Sequence, residues 1–444
     1  MVTKHTEALL KWDADHILHA LGIVGQNLGF APFEEAQGIM IKDTEGKEYM
    51  DIASQLINVN LGHNRKDIAE AAKAQIDKMM FASTLRGYAN VPSIEYSQKL
   101  AQVVPKGLDH FLFTMTGGDA DDCAFKIANL YHKVKGERRY KILSLFNSYH
   151  GTLRGTGGAT GILKGAAAEC PPCGDHIHIP NYFCYRCPLR KEYPGCGIEC
   201  AEFLDYTIEN EGKGNVCCFI AEPEQGPGGF ISPPPEYFPR VREICSKHGV
   251  LFIADEVMTG FGRTGKMFAV ENWDVTPDIM TMSKAIVGGY LPFGAVAVSD
   301  DIWNTLKGQF FSPGSSESGN PICCAVASKV LDIYREEHIV EHAAEVGKYA
   351  KERLEKKFLP LPHIGSLSGL GLMLGLDIVV DKKTKAAPGP EVTNLIPRRG
   401  LEQGLYLRVM GNRLLFGPPL IISKEEVDEA LDRLYPILVE LKLS

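Results

Sequence analysis

Phe252-Ile253-Ala254-Asp255-Glu256-Val257-Met258-Thr259-Gly260-Phe261-Gly262-Arg263-Thr264-Gly265 decides how the rest of the chain is read. The apolar run Val250–Ala254 has the length and composition of a buried strand, and Asp255 stands at its carboxyl end. In open α/β sheets that edge is where ligands bind. Gly260, Gly262 and Gly265, with Arg263 among them, let backbone and ligand approach closely. The competing reading is an ordinary strand-to-loop turn capped by an aspartate.

Outward from this segment, short apolar runs alternate with amphipathic stretches. Leu108–Met115, Tyr140–Phe146, Val216–Ala221, Ile279–Met282 and Ala295–Val298 read as strands. Ala120–Lys135, Ile198–Glu211 and Pro235–His248 read as helices. Such alternation points to an α/β fold with a mainly parallel sheet. After it, 321–357 reads as two helices and Gly371–Val380 as a strand. A polar segment, Asp381–Pro390, comes next, then a helix before Gly404. Leu405–Arg408 and Leu414–Phe416 read as short strands, and Lys424–Leu443 as a closing amphipathic helix. This tail suits a smaller α+β domain that also takes in strands at Gly38–Lys42 and Lys47–Asp51. The expected organisation is an N-terminal segment 1–65 belonging to the small domain, a large domain 66–319 and a C-terminal small domain 320–444, with a cysteine-rich insertion at 170–200.

Three further segments suggest chemistry. Lys284 follows the run Ile279–Met282 and precedes Gly288-Gly289. A lysine at a strand end can be a desolvated amine able to form a Schiff base, although a lone lysine is usually a solvated charge. Thr116-Gly117-Gly118-Asp119-Ala120 joins a strand to a helix, the geometry of an anion-binding helix N-terminus. It is neither a Walker loop nor a dinucleotide fingerprint. Tyr149-His150-Gly151 follows the next strand; its tyrosine can stack on a flat ring or pack in the core. A phosphate cradle, an aromatic, a carboxylate and a lysine at successive strand ends suit a phosphorylated pyridine aldehyde.

These residues, with Ala221-Glu222-Pro223-Glu224-Gln225-Gly226, Gly319-Asn320-Pro321 and Pro418-Pro419-Leu420, resemble the class III aminotransferases from about Gly38 to Leu431. The resemblance implies the PLP-dependent transferase fold type I of aspartate aminotransferase, with a large domain built on a seven-stranded, mainly parallel sheet and a smaller α+β domain. It implies pyridoxal 5'-phosphate as cofactor. Lys284 would hold the cofactor and shuttle a proton at the substrate carbon, and Asp255 would pair with the pyridine nitrogen. Tyr149 and Val257 would cover the two ring faces, and Gly117 and Gly118 would offer amides to the phosphate. Ser316, where the family usually has threonine, would reach that phosphate from a neighbouring subunit of a homodimer; pairing of dimers into tetramers stays open. Gly118, Asp119 and Met258 depart from the usual serine or threonine, glutamate and glutamine. The first departure implies a weaker phosphate grip.

For the substrate, Arg408 resembles the mobile arginine of ω-amino acid:pyruvate aminotransferases, which binds a carboxylate with a bidentate fork; a surface arginine is the alternative. Glu222 would pair with an active-site arginine in the empty site or hold the loop. The wall Ser54-Gln55-Leu56-Ile57-Asn58, with Ile57 as a contact, is smaller and more polar than in relatives that take bulky amines. Arg86 and Arg154 are further candidates for a distal acidic group. The expected reaction moves an amino group from a small ω-amino acid or amine, of the taurine or β-alanine type, to pyruvate or 2-oxoglutarate by a ping-pong route. A racemase or epimerase on the same scaffold is the alternative.

The chain has 444 residues, 45% of them hydrophobic, and a formal net charge of −8. Neither a basic stretch for nucleic acid nor an apolar run of membrane-span length stands out. Met1–Asp15 lacks the apolar core of a signal peptide, so a cytoplasmic protein is expected. Of twelve cysteines, six fall at Cys170, Cys173, Cys184, Cys187, Cys196 and Cys200. Two Cys-x-x-Cys pairs resemble zinc-ribbon spacing. Reduced thiols in a packed insertion, or a redox-labile pair, fit equally, and no metal is assigned to the catalytic site.

Overall fold

The computed structural model describes residues 2–162 and 174–441. Seven strands build the central sheet: β1 (His110–Thr114), β2 (Lys141–Leu145), β3 (His176–Ile179), β4 (Val216–Ala221), β5 (Leu251–Asp255), β6 (Ile279–Met282) and β7 (Gly294–Val298). Their spatial order is β1-β7-β6-β5-β4-β2-β3. Only β7 runs against its neighbours, pairing antiparallel with both β1 and β6. The other pairs are parallel. All six strands other than β7 therefore end at one edge of the sheet.

The sequence dictates this placement directly. β4, β5, β6 and β7 are buried along their whole length, which is why they read as unbroken apolar runs rather than alternating ones. On one face, Phe219, Phe252 and Phe238 stack in series, with centroids 6.2 and 5.9 Å apart. On the other, helix α1 (Gly117–Val134) presents Ala120, Ala124 and Ala128, small residues that let it lie close to the sheet.

Two smaller sheets accompany the central one. Phe33–Gln37, Met40–Asp43 and Glu48–Asp51 form an antiparallel set to which Leu405–Tyr406 adds in parallel. Ile364–Leu370, Met373–Ile378, Arg413–Phe416 and Arg408–Met410 form an antiparallel sheet. Pro321–Glu336 and Ile339–Phe358 are the two helices expected from the pattern. Lys424–Val439 closes the chain behind a Ser423/Glu426 capping box. No described helix is long and apolar enough to cross a membrane.

Several elements differ from the sequence reading. β3 is not among the expected strands; it is a four-residue edge strand whose alternate positions are histidines. The helix Lys4–His16 and the strand Phe33–Gln37 are mostly exposed and carry no apolar period to announce them. Ile364–Leu370 is rich in serine and glycine. The helix expected from Ile198 starts at Glu199, because Ile198 takes a left-handed conformation with φ of 55°.

A buried ion cluster ties the cysteine-bearing loop to the C-terminal sheet. Asp377, fully buried, takes Arg413 Nη1 at 3.2 Å and Arg186 Nη2 at 2.7 Å. Arg413 also donates to the Gly375 carbonyl at 2.8 Å. Removing one partner of a buried ion pair leaves an uncompensated charge and costs about 3–5 kcal/mol. The Asp377→Ala variant is therefore expected to lose about that much stability in denaturant unfolding, and a loss below about 1 kcal/mol would contradict the assignment.

Candidate active site

Five loops leave the common edge of the sheet and enclose a cavity of about 380 Å³. They follow β1, β2, β4, β5 and β6, and they bring Gly117, Gly118, Tyr149, Glu222, Asp255, Val257 and Lys284 to its lining. Seven of the residues singled out in the sequence thus share one site.

Asp255 is the last residue of β5 and only 3% exposed. One carboxylate oxygen receives His150 Nδ1 at 2.7 Å and the other the Val257 amide at 3.0 Å. Asp121, from the inner face of α1, comes close enough that its carboxylate, the His150 ring and Asp255 have atoms mutually within 4.8 Å. Thr281 Oγ1 donates to Asp121 at 2.6 Å. Burial, then the neighbouring Asp255, pushes the Asp121 carboxyl well above its usual range. His150 Nε2 is buried without a partner among the described residues.

Lys284 opens a short turn after β6 with φ of 49°, and Ser283 pins that turn by donating to the Phe293 carbonyl at 2.7 Å. Part of the lysine surface stays open to the cavity, yet its amine is crowded by protein. Desolvation lowers its pKa to about 8, against the opposing pull of Asp255 and Glu222. Arg408 acts on the same amine, and its positive charge lowers the pKa further.

The amide cradle is built by a helix cap. Thr116 caps α1 by accepting from the Asp119 amide at 3.2 Å, and Asp119 accepts from the Met115 amide at 3.0 Å. The amides of Gly117 and Gly118 stand in the first turn, where no helical carbonyl is available to them. A Cβ on residue 117 would come within 2.7 Å of Val257, so glycine is required there. A Cβ on residue 118 would meet nothing closer than 3.7 Å, so a side chain larger than glycine's would fit there.

Glu222 settles between its two expected roles by geometry. It receives the Tyr149 amide at 3.0 Å and the Gly226 amide at 2.7 Å, so it holds loops together rather than pairing with an arginine. Burial raises its pKa to about 7. Arg263, from the glycine-rich signature after β5, is fully buried and does not line the cavity. It donates to Pro418 and Leu372 carbonyls at 2.6 and 3.0 Å and to Asn60 at 2.6 Å, stitching the signature loop to both chain ends.

Other expected residues lie elsewhere. Ile57 is 1% exposed, in an apolar cluster with Phe230, Met258 and Leu415, so it stands behind Met258 rather than on the cavity wall. Ser316 is exposed and does not line the cavity within one chain. Arg408 is half-buried beside a second cavity lined by residues of 19–33; its guanidinium lies 3.7 Å from Met410 Sδ and makes no ion pair among the described residues. Arg86 and Arg154 are both exposed. Asp121 and His150 are site residues that the sequence reading misses. An acid on the apolar face of α1 is the available signal for the first.

The family model for aminotransferase class-III matches residues 24–438. A leucine/methionine racemase from Thermococcus litoralis is 35% identical, the match covering 92% of this chain and 90% of that protein. A putrescine–pyruvate aminotransferase from Pseudomonas aeruginosa is 34% identical over 89% and 88%. Among solved structures, a thermostable (S)-enantioselective ω-transaminase from Thermomicrobium roseum superposes with a TM-score of 0.93 at 36% identity, covering 99% of this chain and 100% of the other. An ω-transaminase from Pseudomonas jessenii, solved with PMP, gives a TM-score of 0.93 at 31% identity, covering 97% of each chain. The chain belongs to the class III aminotransferases. It is a PLP-dependent enzyme of fold type I, and its cavity offers an amine, a carboxylate and an amide cradle that fit that cofactor.

The lowered pKa of Lys284 has a measurable consequence. Addition to an aldehyde needs the neutral amine, and a pKa near 8 supplies it at lower pH than the ordinary lysine value of 10.5. The rate at which cofactor-free protein captures PLP should rise with pH and level off above about pH 8. A rate still climbing toward about pH 10 would show a solvated amine instead.

Proposed function

We propose that the protein moves an amino group from a small ω-amino acid or amine, of the taurine or β-alanine type, to pyruvate or 2-oxoglutarate in two alternating half-reactions. In this reading Lys284 holds the cofactor aldehyde, Asp255 the ring nitrogen, and Gly117 and Gly118 the phosphate. Tyr149 and Val257 take the two ring faces. Bound there, PLP supplies an electron-withdrawing ring that accepts charge from the substrate carbon. The Lys284 amine, once released, takes the proton from that carbon and returns it on the other side of the transfer. His150 and the Val257 amide fix the carboxylate of Asp255 for the ring nitrogen. Ser316 completes the phosphate site from a second copy of the chain, which makes the working unit a homodimer with shared sites. The ten described cysteines are all free thiols, which suits the cytoplasm.

The observation that carries the substrate half of this reading is Arg408. It lines the cavity beside 19–33 rather than the Lys284 cavity, and it makes no ion pair with a described carboxylate. A guanidinium so placed suits the carboxylate shared by keto-acid acceptors and acidic donors. The racemase alternative keeps one specific support, the similarity to the leucine/methionine racemase.

A donor panel tests the reading: taurine, β-alanine, 4-aminobutyrate, putrescine, alanine and leucine, each mixed with PLP-loaded protein and no keto acid. A small acidic donor should discharge the cofactor's visible band, and pyruvate or 2-oxoglutarate should restore it. Preference for putrescine or uncharged amines by a wide margin would overturn the donor class. Loss of optical activity in leucine with the band unchanged would establish the racemase.

A further inference from the structure

Of the clustered cysteines, Cys170 and Cys173 lie outside the described residues. Cys184, Cys187, Cys196 and Cys200 are free thiols around a space of about 20 Å³, room for about one water, that shares no lining residue with the active site. The active site itself holds a second acid beside Asp255.

Asp121 is 1% exposed and lines the active-site cavity from helix α1. Its carboxylate, the Asp255 carboxylate and the His150 ring have atoms mutually within 4.8 Å. The hydrogen bonds that reach the two acids are unequal. Asp255 receives the His150 ring at 2.7 Å and the Val257 amide at 3.0 Å, one on each oxygen. Among the described residues Asp121 receives the Thr281 hydroxyl alone, at 2.6 Å. His150 donates its Nδ1 proton to Asp255, and its Nε2 is buried without a partner among the described residues, so neither ring nitrogen serves Asp121.

Two buried carboxylates this close repel each other, and the one with the weaker support takes the proton. Asp121 is that one. Burial, then Asp255, pushes its carboxyl well above the usual range, against the pull of the Thr281 bond. Two more titratable groups face it. Glu222, after β4, adds to the rise, and the amine of Lys284, after β6, would be raised by a charge on Asp121.

We propose that Asp121 is a positioning residue that stays a neutral acid, so that it and Asp255 together present one negative charge, on Asp255, to the cofactor's ring nitrogen. This rests on the reading that Asp255 meets that nitrogen. Thr281 occupies Oδ1 of Asp121, and the proton belongs on Oδ2. A second charge here would hold the ring proton more tightly and would favour the charged form of the Lys284 amine, which has to lose its proton before it can act. Asp121 thus fills the space beside Asp255 with a polar group and leaves the charge of the site single.

Infrared spectra of the PLP-loaded full chain at neutral pH test the proposal, because a protonated carboxyl group has a carbonyl stretch that a carboxylate lacks. Protein labelled with heavy carbon at the aspartate side-chain carboxyl should show one such band shifted by the label. The difference between wild type and Asp121→Asn should show the loss of that band and of no carboxylate band. PLP carrying a heavy ring nitrogen, read by nuclear magnetic resonance, gives the second arm. Its nitrogen signal in Asp121→Asn should stay at the wild-type position, since the amide is as neutral as the acid, whereas Asp255→Asn should shift it. Absence of a label-sensitive carboxyl band from the wild type would overturn the proposal, whether or not the variants fold. So would loss of carboxylate bands in Asp121→Asn, or a nitrogen signal there that moves from the wild-type position. A nitrogen signal left in place by Asp255→Asn would instead refute the reading of Asp255, and the infrared arm would still decide whether Asp121 is neutral.

Discussion

An ionisable carboxyl group taken out of water must be held by its surroundings, and Asp255 shows how much of this fold answers that demand. Its position at the end of β5 places it where the sheet stops hydrogen-bonding and the loops begin. His150 and the Val257 amide occupy its oxygens, and each comes from a different loop. The Tyr149–Gly151 turn and the signature turn are thereby fixed to one atom group. Asp121 and Thr281 extend the network back into α1 and β6. Burial, then the neighbouring Asp255, raises the Asp121 carboxyl well above its usual range at this crowded end of the cavity.

Lys284 reaches the same cavity from the neighbouring strand because β5 and β6 are parallel. In an antiparallel pair the two strand ends would point to opposite edges, and the amine and the carboxylate could not share a site. Burial also sets the protonation of the site. The same desolvation that lowers the amine raises Glu222, so both groups titrate near neutral pH. Nothing in this arrangement distinguishes transfer of an amino group from inversion at a carbon; both begin with the same amine and the same carboxylate. Substrates rather than geometry therefore separate the two activities.

The parts legible in the sequence are those whose signal is local. β4 and β6 have the ends that the sequence implies, because fully buried strands leave continuous apolar runs. Lys284, Asp255 and the glycine cradle are legible because each ends or begins such an element. The rest depends on long-range contact. His150 sits within the Tyr149-His150-Gly151 motif, but its bond to Asp255 spans 105 positions. Ile57 belongs to the expected wall, yet a backbone bend with φ of 58° turns it into the apolar cluster and leaves Leu56 55% exposed. The Asp377–Arg413–Arg186 cluster joins three separate segments and has no sequence period at all.

Every role assigned around the cavity depends on Lys284 as the amine that holds the cofactor. Borohydride reduction of the PLP-loaded protein, followed by proteolysis and mass analysis, fixes the cofactor to whichever lysine carries it. The pyridoxyl mass should appear on the peptide containing Met282-Ser283-Lys284-Ala285, at Lys284 and in near-stoichiometric amount. Labelling of another lysine, or a Lys284→Ala protein that still gives the same labelled peptide yield elsewhere, would contradict it.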